Sequence, residues 1–330
     1  MRNKILGMFL GTPIGDILGL PYETMEFGTY ERVTNYNGLP PQWSDDTQLT
    51  LAVANSLIES LELNLQSQAK WHVKAYQDTT FGWGSTTKYC CRKLMEGVSP
   101  TKMKYGQTKG NGNGVAMKSS PIAAYIKISH KWPLSPEMIK KIIKFSSLTH
   151  HSSVAAQSSL VQIAAVMYCL SVKPEDFSSD KFVEEIVFAA NIDEENLKPL
   201  TASPDLTERL KIVDRLKDSP SEAIVDVFGG GTSYVYNSLP FSYAFFLQNP
   251  HSIESLYNVI SAGGDTDTNG AIVGCLLGAL HGNRIFPDHL ITGIPRLTEI
   301  NNIAKMFCDK FNIEEGENIK EKTWRKSLEK

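Results

Sequence analysis

Apolar residues recur at helical spacing along almost the whole chain, and strict alternation over a strand length hardly occurs. That periodicity points to an all-α fold. Leu6, Leu10, Ile14, Ile17 and Leu18 make the first stripe, which Pro21 stops. Leu49, Val53, Leu57, Ile58 and Leu61 make a second, directly after Ser44-Asp45-Asp46-Thr47. The spacing predicts further helices over 67–77, 87–96, 115–128, 136–148, 154–170, 181–190, 206–215, 241–246, 253–261 and 268–281, with a last one ending near Phe311. The segment 172–222 is the most polar and is expected to form peripheral helices, while the charged end, 317–330, is expected to fray. No internal repeat or Pro/Ser-rich linker marks a boundary, so residues 1–330 read as one domain.

With 42% hydrophobic and 21% charged residues, the chain can bury a sizeable core and is not dominated by disorder. Its 33 Lys+Arg against 36 Asp+Glu give a formal charge of -3. No bulk positive field therefore exists to recruit nucleic acid or anionic lipid. The first 20 residues are the one candidate for a signal sequence, but Pro13 and Asp16 interrupt them, they are short for a bilayer, and no cleavage-type site follows. No other window is expected to reach membrane length. Cys90, Cys91, Cys169, Cys275 and Cys308 form no C-x-x-C pair, and Cys169 and Cys275 sit in apolar runs where a thiol acts as a small hydrophobe. A cytoplasmic monomer is the expectation.

Two acidic clusters open helices. Ser44-Asp45-Asp46-Thr47 alone reads as an N-cap, since short polar side chains accept from free amide groups at the positive end of the helix dipole. Gly263-Gly264-Asp265-Thr266-Asp267-Thr268 opens another helix, which carries Gly270, Gly274 and Gly278, a ridge that lets a neighbouring backbone come close. One cap needs one polar residue, whereas here each helix start carries two carboxylates. Brought together, four carboxylates repel unless cations neutralise them or their proton affinities rise. Oxygen-only donors suit a hard ion such as Mg²⁺ or Mn²⁺ and disfavour zinc. Two glycine-rich loops, 106–114 (GQTKGNGNG) and 228–232 (FGGGT), read as turns or as places of close backbone approach. The first has the spacing G-x-G-x-G after a polar loop, not the G-x-G-x-x-G after a strand of a dinucleotide fold.

In this order, GMFLGTPIGDILGLPYE, SDDTQLTLAVANSL, FGWGSTT, GNGNGVAMKSSPIA, LTHHS, FGGGTSYVYNSLPFSYAFFL and AGGDTDTNGAIVGCLLGALHG resemble the ADP-ribosylglycohydrolases over most of the chain, with the SDDT and GGDTDT pair the most specific. The resemblance implies an orthogonal multi-helix bundle around two divalent cations, Mg²⁺ or Mn²⁺. Their ligands would be Ser44, Asp45, Asp46, Asp265, Asp267 and Thr268, with Ser44 where the family usually has Thr. It implies a catalytic role for Asp46 and Asp267, and for Glu23 in metal coordination or acid/base work, although a solvated loop carboxylate is the plainer reading of that residue. The loop carrying Gly112, Asn113 and Gly114, followed by Met117 and Lys118, would hold the diphosphate and ribose through backbone N–H groups. Lys118 stands where the family commonly has Arg, which removes a bidentate contact. His150, rather than His151, would face the ribose and metals, and Gly230 and Tyr234 would lie on the adenosine side. Tyr234 and Tyr236 read equally well as core residues.

The implied reaction is hydrolysis of the bond between ADP-ribose and a modified protein side chain, arginine or serine, through a transition state of oxocarbenium character. The partner would be an ADP-ribosylated protein or a small molecule containing ADP-ribose. Two alternatives stand beside it: Mg²⁺-dependent hydrolysis of another nucleotide or phosphate ester, and a catalytically silent structural relative.

Overall fold

The computed structural model describes residues 1–36, 41–103, 110–130, 132–192 and 194–313. Among them the chain forms α1 (Arg2–Gly19), α2 (Asp45–Ser60), α3 (Leu65–Asp78), α4 (Ser85–Met95), α5 (Ser120–Ser129), α6 (Pro136–Ser147), α7 (Ser153–Ser171) and α8 (Ser179–Ala190). These are followed by α9 (Glu194–Leu197), α10 (Thr207–Lys211), α11 (Ser221–Phe228), α12 (Val235–Gln248), α13 (Glu254–Ser261), α14 (Thr266–His281), α15 (Asp288–Thr292) and α16 (Leu297–Lys310). Among the described residues there is no strand, only two isolated bridges, Gly112 with Tyr234 and Ser152 with Thr201. The fold is all-α. The expected tail at 317–330 and loop positions 106–109 lie outside the described residues.

The centre is an antiparallel pair, α1 against α14. Gly7, Gly11, Gly15 and Gly19 recur every four residues along one face of α1, and Gly278, Gly274, Gly270 and Thr266 meet them in reverse order. The backbones touch with no side chain between them. A Cβ placed on Gly11 would stand 2.0 Å from the Gly274 carbonyl oxygen, and one on Gly15 would stand 2.0 Å from that of Gly270. The ridge read from Gly270, Gly274 and Gly278 therefore has its partner in a second ridge on α1. At its far end Thr266 Oγ1 donates to the Gly19 carbonyl at 2.7 Å, which sets the start of α14 level with the end of α1.

Around this pair, α7, α12 and α13 pack on α14, and α2 and α16 pack on α1. One cluster of buried apolar side chains runs from Ile5 to Ile313. The polar 172–222 stretch also feeds it, because α8 places Phe182 and Ile186 fully inside. Helices α1, α7 and α14 are buried on nearly every face, which explains why their sequences are apolar all round. This overturns the expectation that no window reaches membrane length: Arg2–Tyr22 and Ser153–Ser171 are long and apolar enough, and 78% and 94% of their windows are buried within the protein.

Three of the expected helices change their bounds, and α11 and α15 have no counterpart in the periodicity. The helix expected over 115–128 begins only at Ser120, because 114–118 form turns and Pro121 suits the first turn of a helix. The one expected over 206–215 shrinks to α10 and a 3₁₀ turn, Asp214–Leu216. In contrast, α12 runs well beyond 241–246 and through Pro240, since burial of Val235, Leu239, Phe241 and Phe245 outweighs the lost N–H.

Replacing Gly274 by Ala forces a methyl group into backbone that has no slack, a kind of overpacking that costs about 3 kcal/mol or more. Urea unfolding of Gly274→Ala is expected to show that loss. A midpoint equal to that of the parent chain would mean the helices are not held this closely.

Candidate active site

Gly263 and Gly264 adopt φ of +81° and +84°, the left-handed region that favours glycine. The turn they make is clamped on both sides. Thr24 N donates to Gly264 O at 2.7 Å, Gly264 N to Met25 O at 2.9 Å, and Asp265 N to Gly231 O at 3.0 Å. A Cβ on Gly264 would lie 2.0 Å from the Gly230 carbonyl oxygen. This turn aims Asp265 and Asp267 at the first turn of α2, and it fixes the 20–25 segment that carries Glu23.

At the start of α2, Ser44 is the N-cap. A second carboxylate reaches the same turn from α1: Asp16 accepts from Ser44 N at 2.9 Å, Thr47 N at 3.0 Å and Thr47 Oγ1 at 2.6 Å. Asp16 thus ties α1 to α2, while the glycine ridge ties α1 to α14. Two sets of carboxylate oxygens result, each lying within 4.8 Å of one another: Asp16, Asp46 and Asp267 in one, and Glu23, Asp265 and Asp267 in the other. Asp267 belongs to both.

Hydroxyl and amide groups fill the gaps. Thr268 Oγ1 donates to Asp46 Oδ2 at 3.0 Å and Ser44 Oγ to the same atom at 3.2 Å. Asn113 Nδ2 donates to Asp265 Oδ2 at 2.6 Å. The other Asp46 oxygen, Oδ1, is buried without a hydrogen-bond partner among the described residues. A buried carboxylate oxygen left in that state is costly unless a proton or a cation meets it. The all-oxygen donor set and this orphan atom fit a hard divalent cation. Asp45 stands in neither triple and accepts from Gly84 N at 3.4 Å.

The crowding shows in proton affinity. Burial pushes Asp16 up to about 6 against the hydrogen bonds from Thr47 and Ser44. Burial, then the charge of Asp16, pushes Asp45 up to about 7. Asp46 and Asp267 are held well above the usual carboxylate range, first by burial and then by their acidic neighbours. Glu23 stands exposed at the rim, raised by partial desolvation and then by Asp265 and Asp16.

A family model described as ADP-ribosylglycohydrolase matches residues 1–317. The chain belongs to that family. Among relatives, ADP-ribosylhydrolase ARH3 of Xenopus tropicalis is 23% identical over 321 residues, covering 86% of this chain and 89% of that protein. ADP-ribosyl-(dinitrogen reductase) glycohydrolase of Rhodospirillum rubrum is 23% identical over 293 residues, covering 86% and 87%. A solved ADP-ribosylglycohydrolase-related protein complex shares the fold, with a TM-score of 0.69 at 21% identity over 94% of this chain and 98% of that chain. The protein is a glycohydrolase, and its family acts on ADP-ribose linkages.

In this glycohydrolase Ser44, Asp46, Asp265, Asp267, Thr268 and Glu23 come together around the two triples, although the start of α14 lies more than 200 residues beyond α2 in the chain. Gly112, Asn113 and Gly114 join the site through Asn113 and through the Gly112 bridge to Tyr234. Gly230 lies against Gly264. Three placements differ from the sequence reading: Asp45, expected as a ligand, lies outside both triples and faces Gly84 N, and the other two concern residues that follow the glycine loop. Lys118 has no exposed surface, and its ammonium donates to Thr149 Oγ1 at 3.0 Å, so it does not stand open to a phosphate. Met117 is packed with Leu49, Trp83 and Cys91. Tyr234 and Tyr236 are partly buried and stack with ring centroids 5.7 Å apart. His150 is buried beside Gly112 and Gly114.

Asp16 was missed as a site residue. Its signal is a carboxylate in the last turn of α1, within a buried and largely apolar stretch where an acid is rarely tolerated without a task.

These carboxyls keep their protons to higher pH in the folded chain than in the unfolded one. Their contribution to stability is therefore full below the unfolded value of about 4 and falls as pH rises through about 6 to 7. A divalent cation competes with the same protons. Millimolar Mg²⁺ is expected to raise the Tm more at about pH 8 than at about pH 5; equal shifts at both would contradict a cation site built from this cluster.

Proposed function

We propose that the protein hydrolyses the glycosidic bond between ADP-ribose and a modified protein side chain, arginine or serine, and releases ADP-ribose. The observation that carries this reading is the pair of carboxylate triples sharing Asp267. Two divalent cations, Mg²⁺ or Mn²⁺, would be held by Asp16, Asp46 and Asp267 and by Glu23, Asp265 and Asp267, with the Ser44 and Thr268 hydroxyls and the Asp45 carboxylate beside them. When bound, such cations supply Lewis acidity that lowers the pKa of water and offsets the negative charge of the cluster.

In the overall change a water oxygen bonds to the anomeric carbon, the bond from that carbon to the acceptor side chain breaks, and one proton passes from the water to the leaving group. Glu23 suits that proton transfer. It stands exposed at the edge of the cluster, within reach of solvent and of an incoming acceptor side chain. Asp46 and Asp267 set negative charge next to a carbon that becomes positive in the transition state. The backbone amides of Gly112, Gly114 and Gly231 can meet phosphate oxygens because no side chain blocks them, whereas those of Asn113, Gly229 and Gly230 already donate to the Ser233 and Val225 carbonyls. One chain contributes every member of both triples, which supports a monomer, and five buried free thiols support a reducing, cytoplasmic setting.

Proteins ADP-ribosylated on arginine or on serine, incubated with the enzyme and Mg²⁺ or Mn²⁺, are expected to release intact ADP-ribose by mass analysis, and chelation is expected to stop the release. AMP and ribose phosphate as products would replace this reading with diphosphate hydrolysis. Asp267→Asn is expected to lower turnover about 100-fold or more while circular dichroism shows a folded chain; undiminished turnover would refute the role of the cluster.

A further inference from the structure

Beneath the glycine loop runs a buried chain of polar groups that the chemistry above does not use. The Lys118 ammonium donates to Thr149 Oγ1 at 3.0 Å and lies 5.8 Å from the centroid of the Phe145 ring. Thr149 Oγ1 is in turn 3.0 Å from His150 Nδ1. The far side of the imidazole abuts the loop. A Cβ built on Gly114 would lie 2.9 Å from His150 Cε1 and 3.3 Å from Nε2, and one on Gly112 would lie 3.5 Å from Nε2.

The direction of these bonds follows from what each group can donate. An ammonium only donates, so Thr149 Oγ1 accepts from Lys118. If His150 Nδ1 carried a proton, the same oxygen would receive two donors, and its own hydrogen would have no acceptor among the described residues. With Nδ1 bare, the hydroxyl donates to it, and its oxygen accepts from Lys118 alone. The adjacent positive charge also polarises the hydroxyl and strengthens that donation. Burial, reinforced by Lys118, holds His150 down to about 3, so the ring is neutral. A neutral ring that accepts at Nδ1 carries its hydrogen on Nε2.

We propose that Lys118 is a positioning residue: acting through Thr149, it holds His150 as the Nε2–H tautomer and presents one fixed donor, between Gly112 and Gly114, to an acceptor oxygen of the bound nucleotide. The last clause rests on the reading of the 112–114 loop as the nucleotide cradle. A buried lysine is thereby accounted for without contact to the ligand.

Long-range ¹H–¹⁵N correlation spectra of the ¹⁵N-histidine-labelled protein with Mg²⁺ read the tautomer directly, with His150 assigned by its loss in His150→Gln. The parent chain is expected to show protonated Nε2 and bare Nδ1. Lys118→Met and, independently, Thr149→Val are expected to give a mixture of tautomers, and Lys118→Arg, which still donates, is expected to restore the parent pattern. The Kd for ADP-ribose is expected to rise about tenfold in the Met and Val variants, as for loss of one well-placed donor, and to recover in the Arg variant. Protonated Nδ1 in the parent chain, or a tautomer unmoved in both broken variants, overturns the proposal. A tautomer that shifts while ADP-ribose affinity stays constant upholds the relay and removes the loop from the nucleotide site.

Discussion

Everything in the site depends on two helices that touch backbone to backbone. Because Gly7, Gly11, Gly15 and Gly19 have no side chains to hold α14 away, α1 and α14 approach to a separation that any Cβ would forbid. The spacing fixes the distance and limits the register to steps of four residues, and the bond from Thr266 Oγ1 to the Gly19 carbonyl at 2.7 Å selects one of them. With that offset set, the first turn of α14 sits beside the last turns of α1, and its acidic residues face Asp16 and α2. Dispersion between close backbones and Cα–H···O contacts replaces ordinary side-chain packing along this seam.

The electrostatic consequence is a concentration of negative charge that the fold alone does not neutralise. Hydroxyl and amide donors from Ser44, Thr47, Asn113 and Thr268 meet several of the carboxylate oxygens, yet Asp46 Oδ1 has no hydrogen-bond partner among the described residues. The raised proton affinities of Asp16, Asp45, Asp46 and Asp267 express the same imbalance. Function and stability are coupled here. The rigid scaffold holds like charges together, and whatever cation or proton relieves them also stabilises the scaffold.

Glycine serves two different purposes in this chain. In α1 and α14 it removes bulk from helices whose backbone geometry is ordinary. In the 229–231 and 263–264 turns it supplies a left-handed backbone, with φ from +60° to +84°, that lets two loops and the 24–25 segment bond to one another. The 112–114 loop adds a third use, room for the His150 ring, which lies where a Cβ of Gly114 would be.

Much of this was legible in the residues. Helical spacing of apolar positions gave the fold class, because an amphipathic or buried helix writes its 3.6-residue period into the chain whatever its neighbours are. Paired acids at two helix starts pointed to the cluster that the fold assembles, since a cap alone does not need two carboxylates. What local pattern could not supply was contact between distant positions. The partner of the Gly270–Gly274–Gly278 ridge, the turn of Asp16 toward Ser44 and Thr47, and the retreat of Lys118 to Thr149 each depend on which surfaces meet after the chain has closed. The extension of α12 through Pro240 belongs with them, because burial there outweighs local preference. Periodicity and side-chain chemistry are properties of neighbours along the chain, and the sequence determined those. Only the tertiary structure decided which backbones lie in contact, and that decision rests on packing and desolvation summed over the whole molecule.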